Sequence, residues 1–440
     1  MNSKQQSCAV RNNNTNTQEE NTMKMKSTTA TKTFSAMMAI ALAWMAALVL
    51  PASVLGATVT MTANDLSTPI SFNSAGKWSD AAAPSTGNDY YTAGYLMRSF
   101  ATATTATFQG DSLTIGGAPG SPLAGRFLYK SACDLTVSNL KLNGGLLDIA
   151  GTGPITGTLR GGLTVLSASY IVSYGSVLYS AHTLDIRSTI TGSANLQVGL
   201  AANTTFAGTP YTATDGYGIV RFSGANPDYS GIITVNGSGS ASGVSTTHGA
   251  FSLNNLNAVQ KATVKFNYAN STVAPAMSFL AGSNTGTYNI GALETTVSSR
   301  LKLEDTAGNA VAINVGGNNA STSFNGVLTG SGSLTKSGIG TLTLSGANNY
   351  TGNTTVTGGT VVWNNACLSA SADLICVNAP TIQLDYVGNN TIRRLYVNGQ
   401  SRPLGVYNAA NAPAGMTITG TGALVVTDTE PPQGTVISIR

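Results

Sequence analysis

Charge is what this chain has least of: 9% of its 440 residues are Asp, Glu, Lys or Arg, and only two are histidine. Downstream of residue 57 the glutamates are Glu294, Glu304 and Glu430 alone. A carbohydrate-cleaving site needs convergent carboxylates, typically a pair, and this chain has little to build one from. Glu304-Asp305 is the one adjacent acidic pair there. In LKLEDTAGN it reads as a solvated strand end beside a turn, not as a catalytic dyad. His182 and His248 stand outside any legible Ser-His-Asp pattern and read as loop or strand residues. Three of the four formal positive charges reside in the first 57 residues, since beyond them 17 Lys and Arg face 16 Asp and Glu, leaving +1. That balance excludes nucleic acid or anionic lipid as a partner selected by charge.

Cysteine is nearly as scarce. Cys8 falls in the presequence, leaving Cys133, Cys367 and Cys376, an odd number that excludes a full disulfide framework. Cys367 and Cys376 form the candidate disulfide, on adjacent coils or across a hairpin in an oxidising compartment. Cys133 reads as a small buried hydrophobe. With no CxxC and no Cys/His ligand spacing, neither a metal nor another cofactor is expected.

Long apolar runs are limited to one, Ser35–Leu50. At about 15 residues it is short for a membrane span, which needs about 20. Lys24, Lys26 and Lys32 precede it and the small-residue stretch Pro51–Ala57 follows, the pattern of an export signal cleaved after Gly56 or Ala57. Membrane contact is therefore expected only through this segment, during export. Residues 1–22 are Asn-rich and carry Glu19 and Glu20, so Met23 or Met25 makes the better start and residues 1–22 read as a mis-assigned extension.

What the chain does have is glycine, 50 residues of it, and phrases that recur. Ile190–Leu196 (ITGSANL), Leu328–Leu334 (LTGSGSL) and Ile418–Leu424 (ITGTGAL) are one phrase written three times. Phe222–Val235 (FSGANPDYSGIITV) matches Leu344–Val356 (LSGANNYTGNTTV) with one inserted residue. Such degenerate self-similarity marks stacked coils that bury their apolar faces only against neighbours. Strict two-residue alternation at Gly340–Gly346, Ala57–Thr62, Ser112–Ile115, Asp134–Leu142 and Lys261–Phe266 predicts half-buried strands. Gly and Asn clusters between them predict sharp turns. Leu253–Gln260 is the best candidate for a short helix. Leu342, Leu344, Val356 and Val361 are expected to point inward and stack, while Thr341, Thr343, Thr355 and Thr357 read as ordinary solvated strand faces. At about 20–25 residues per coil, the region after the signal makes roughly 15–19 coils.

The expected organisation is a presequence at 1–57, an opening module and cap at 58–189, a repeat-bearing section at 190–365, closing coils and cap at 366–427, and a flexible tail at 428–440. The opening module holds Trp78–Tyr91 (WSDAAAPSTGNDYY), with Lys77, Asp80 and Asp89 around its rings. Trp78, Tyr90 and Tyr91 are the candidates for glycan contact; the plainer reading is that they plug the first coil.

Lys336–Val362, KSGIGTLTLSGANNYTGNTTVTGGTVV, resembles the autotransporter-associated β-strand repeat, the passenger-associated repeat of secreted bacterial proteins. It combines G-x-G-T-L-x-L-S-G-x-N with Y-T-G and T-x-V, and Arg221–Val235 carries a partial copy. The opening WSDAAAPSTGNDYY and the closing IRRLYVNGQSRPLGVYNAANAP…ITGTGALVV look like the ends of surface proteins that carry this repeat without a barrel. The resemblance implies an all-β fold, a right-handed parallel β-helix with capping modules at both ends, outside the cell or at its surface. It does not imply an enzyme. An autotransporter also carries a C-terminal membrane barrel of roughly 250 residues, and no such pattern follows the repeats here. Export by another route is therefore expected, with a truncated gene model as the competitor.

The expected role is structural or adhesive, holding an extracellular polysaccharide, a matrix component or a cell-surface partner, without catalysis. A polysaccharide lyase or hydrolase on the same scaffold is the alternative, and a passenger fragment lacking its translocator the second. Exposed coil ends leave end-to-end association open.

Overall fold

The computed structural model describes residues 56–118, 123–151, 154–173, 182–199, 204–206, 209–211, 218–236, 251–267, 277–282 and 286–429. The export-signal segment, His248 and the tail beyond Thr429 lie outside the described residues. Gly56–Arg440 is one compact unit. Among the described residues every regular element is a β-strand. Leu253–Gln260 is not a helix: Phe251–Leu253 and Val259–Phe266 are strands. The Asn255 side chain accepts a bond from the Asn257 N–H (2.9 Å), so asparagine diverts the backbone into a turn.

The strands stack in parallel, coil on coil, along three faces. One coil shows the plan: Val327–Thr329 lies on face one, Ser333–Lys336 on face two and Thr341–Leu344 on face three. Face three can be followed through the molecule by register alone. Met97, Phe127, Leu147, Ile171, Val198 and Val235 succeed one another as direct partners, then Phe266 and Thr295. Phe324, Leu344, Trp363 and Leu384 continue the same column to Gly420. From Met97 to Leu384 every member is buried. Each large apolar side chain removed from water in this way contributes about 1.5–3 kcal/mol, and each is covered by the coils before and after it rather than by its own.

Thr295 is the one hydroxyl in the column before Gly420, and it is satisfied locally by bonding Val297 O (3.1 Å). On face two, Val259, Ile290, Val315, Lys336, Val356, Cys376 and Val397 form the corresponding column. In the first half, Asp134–Asn143 and Thr156–Val165 run across two faces, bending where the register slips between Val137 and Asn139. Gly161 makes the bend with φ +98°, and a Cβ there would lie 2.1 Å from Val137 O.

Coil length is not uniform. Asp185 and Arg221 are register partners 36 residues apart, whereas Thr341 and Thr360 are 19 apart. The column on face three consequently has thirteen levels among the described residues, fewer than the 15–19 expected from a constant coil.

The opening end is closed by its own chain. Phe72 enters the core end-on, stacked on Phe127 (centroids 5.8 Å, 15° between planes) and packed against Phe100 and Phe108. Met61 bridges Trp78, whose indole Nε1 donates to Ser71 O (2.7 Å). The buried Asp65 carboxylate accepts bonds from the Ser71 N–H (2.9 Å) and Oγ (2.8 Å).

Candidate functional site

The residues singled out for chemistry are mostly committed to the fold. Trp78 and Tyr90 are 3% and 0% exposed and meet edge to face at 4.8 Å. Tyr91 is buried as well. Trp78 and Tyr90 belong to the core at the opening end, the plainer of the two readings for these rings, whereas Tyr91, though buried, lies outside that cluster. Asp89 stands outside, beside Lys141 and bonded by Ser112 Oγ.

The Cys367–Cys376 disulfide is also corrected, because both thiols are free and buried. Cys376 occupies the inward column of face two between Val356 and Val397, and burial pushes its thiol up to about 12. Cys367 lies apart from that column, where the Asn348 amide donates to its sulfur (3.5 Å).

Glu304 accepts bonds from Lys302 (2.6 Å) and the Ser331 N–H (2.9 Å), and these hold its carboxyl below the usual range. Asp305 folds back on its own turn, accepting from the Ala307 and Asn309 N–H groups (2.8 and 2.9 Å) and from Asn309 Nδ2. Neighbours in sequence, the two carboxylates are bound to separate local partners. His182 is buried and its Nδ1 accepts the Ile155 N–H (3.3 Å). Burial holds its pKa below the ordinary imidazole value. Among the described residues no three His, Cys, Asp or Glu side chains gather as metal ligands.

The recurrent phrases turn out to be interlocking parts. Their first and last residues are buried in all three copies: Ile190 and Leu196, Leu328 and Leu334, Ile418 and Leu424. The third residue is a glycine with positive φ each time, +105° at Gly192, +96° at Gly330 and +87° at Gly420, so the phrase is a fixed corner between faces. The asparagine of the companion phrase holds that corner from the next coil. Asn226 Oδ1 accepts the Ile190 N–H (2.7 Å), and Asn348 Oδ1 accepts the Leu328 N–H (2.8 Å). Asn390 does the same for the Leu368 N–H (2.8 Å).

Composition and motif gave no sign of two other features. Lys336 points inward between Val315 and Val356, and its ammonium donates to the carbonyls of Ser337 (2.7 Å), Gly338 (3.1 Å) and Gly358 (3.4 Å). Burial lowers its pKa. The second feature lies on the outside of face three. Thr341, Thr360, Thr381 and Thr417 are direct register partners, and Ser323, Thr343, Val362, Gln383 and Thr419 form a parallel column two residues along. Beneath them Leu342, Val361, Ile382 and Ile418 are buried. The result is a run of uncharged, mostly hydroxyl-bearing positions at the spacing of stacked parallel strands, about 4.8 Å. The signal that reveals it is coil-to-coil register, which alternation within one strand does not contain.

Comparison with known families bears on the same tract. Residues 334–362 match the passenger-associated-transport-repeat family. The matched segment runs from Leu334 on face two to Val362 on face three, taking in two successive levels of both faces, and includes Lys336, Asn348 and the outward Thr341, Thr343 and Thr360. No curated protein and no solved structure matches the chain.

Proposed function

We propose that this protein is an exported, passenger-type right-handed β-helix acting outside the cell or at its surface as a structural or adhesive element. Its contact surface is the outer side of face three in the regular tract, and its partner an extracellular polysaccharide, a matrix component or a cell-surface molecule. The observation that carries the reading is the pair of hydroxyl columns running in register through and beyond the transport repeat. A row of small hydroxyls on a stiff sheet offers donors and acceptors at a fixed repeat without charge, which suits a repetitive, hydroxylated polymer. Holding it costs little entropy, because Thr in a strand has few rotamers to lose.

Protease shaving of intact cells tests the location: loss of the protein without lysis is expected, and survival in the cytosolic fraction overturns it. A glycan-binding assay tests the surface. Thr343→Lys with Thr360→Lys, on half-buried outward strand positions, should abolish polysaccharide binding while leaving the circular dichroism spectrum intact. Unchanged binding by that variant removes face three from consideration.

A further inference from the structure

We propose that the closing end of the coil stack is a self-association surface, at which two copies of this chain meet tail to tail about a two-fold axis. Within face three, strands are flanked by a parallel neighbour on each side, and only the first and last have an outer edge to cover. At the opening end the edge of Leu96–Arg98 is filled by the chain itself. The Asp65 N–H donates to Leu96 O (2.8 Å), Asn64 Oδ1 accepts the Leu96 N–H (2.8 Å) and the Asp65 carboxylate accepts the Arg98 N–H (3.3 Å).

The closing end is treated differently. Face two is finished by Gln400–Ser401, antiparallel to Leu395–Val397, and face one by Gly405–Tyr407, antiparallel to Ala423–Val426. On face three, Thr417–Gly420 pairs with Thr381–Leu384, and among the described residues no strand pairs with its other edge. The Thr417 and Thr421 N–H groups donate back to Pro380 O and Leu384 O, both at 3.0 Å. Strand alternation therefore turns the main-chain groups of Ile418 outward.

Such edges are normally protected by charge, proline or a bulge. Thr-Ile-Thr-Gly carries no charge and no proline. Of the seven large hydrophobics that are exposed among the described residues, Val387 (95%), Leu404 (61%) and Val406 (45%) lie in the closing section. Two of the nearby cations are paired within the chain, Arg393 with Asp373 (2.7 Å) and Arg394 with Asp428 (2.8 Å), while Arg402 donates to Val397 O (3.3 Å) and the Asp385 carboxylate accepts from Gln383 Nε2 (2.7 Å).

These features select the occupant. A head-to-tail neighbour is refused because the opening edge is filled by Asn64 and Asp65. An antiparallel pairing of Thr417–Gly420 with its own two-fold mate uses one patch twice and closes at two copies. Leu404 and Val406, exposed on the face-one cap of the same end, are the apolar groups that such a dimer would take out of water.

Light scattering on a size-exclusion column, across a concentration series of the purified protein, should show the mass doubling and going no further. Leu404→Lys with Val406→Lys, both on the exposed cap, should weaken the dimer about tenfold or more. Thr419→Lys should do the same from the strand side, while Leu123→Lys with Leu166→Lys, elsewhere on the surface, should leave the mass curve unchanged. A monomer at every concentration overturns the proposal, as does a dimer insensitive to all the cap variants or a ladder of higher masses. If the intact protein is monomeric and a variant lacking residues 430–440 is dimeric, the edge belongs to the chain's own tail and the proposal falls.

Discussion

Two stretches of the same coil stack solve the same problem by different means. From Ala312 to Val397 the coils are nearly uniform: on face two Ser333–Lys336, Thr354–Val356, Leu374–Cys376 and Leu395–Val397 pair at separations of 20 or 21 residues. From Leu96 to Ile290 the separations on the corresponding ladders range from 20 to 37 residues, and the strands carry buried ionic groups. Asp148 is fully buried on an outward position of face three and bonded by Arg126 through Nε (3.1 Å) and Nη2 (2.6 Å); Asp185 is buried beside Arg187 (2.8 Å). The uniform tract keeps the buried Asp373 with Arg393 and the buried Lys336, and otherwise turns threonine outward. Register survives both treatments because it is set by the inward column, not by coil length. Outside that column the long coils are free to vary, and the uniform ones repeat.

The largest effect that separates the two stretches is removal of one coil. Leu334 and Thr354 are direct partners, so deleting residues 334–353 joins Ser333 to Thr354 and restores every contact one level down. The deletion should fold, with the β-sheet spectrum retained and a single cooperative melt. The same 20 residues taken from Leu147 to Leu166 put Ser167 where Leu147 stood, displacing Ile171 by four positions from its place above Leu147. That variant should not fold. Equal outcomes for the two deletions would show that the uniform tract is no more modular than the rest.

How far the sequence could be read follows the same divide. The inward Leu342, Leu344, Val356 and Val361 and the parallel stacking were legible because alternation and a 20-residue period coincide in the regular tract. The coil count was not, since a register partner 36 residues away leaves no local trace. The aromatic patch at Trp78–Tyr91 was ambiguous for a physical reason: a ring that plugs a core and a ring that stacks on a sugar are the same side chain, and the burial of Trp78 against Tyr90 is visible only in three dimensions. Cys367 and Cys376 looked like a pair because they are close in sequence, yet only Cys376 belongs to the inward column of face two. Lys336 has the opposite history, a cation in an apolar column that only the convergence of three carbonyls explains.

The buried ionic groups of the long-coil stretch should give it a pH dependence of its own. Burial pushes Asp148 up from 3.8 to about 6, against the pull of Arg126 and Lys130. The folded state then holds a proton that the unfolded state has lost between about pH 4 and 6. Its contribution is complete below pH 4 and disappears as the pH rises through 6, up to about 3 kcal/mol across the window. Asp148→Asn should flatten the melting temperature over that window relative to the parent. His182, with its pKa held down, loses stability on acidification in both proteins, so it cancels from the difference. A difference curve that is flat, or that rises with pH, contradicts the assignment.

The corner asparagines give the smallest and finest test, since one stands in each stretch and both accept the N–H of the first residue in the same phrase. They differ in what their amide nitrogens hold. Asn226 Nδ2 donates to Ala258 O (2.8 Å), a main-chain oxygen on the following level, and so ties three coils at one corner. Asn348 Nδ2 donates to Gly346 O (3.1 Å) in its own turn and to the Cys367 thiol, a weak acceptor. Replacing either by alanine leaves a buried N–H without a partner, at about 1–3 kcal/mol. Asn226→Ala should cost more than Asn348→Ala, because it also strands a buried carbonyl one level away. Chemical denaturation of the two variants at one pH decides it. Equal losses would mean that the corner is held by the shared Oδ1 contact alone, with the long coils drawing nothing extra from the third level.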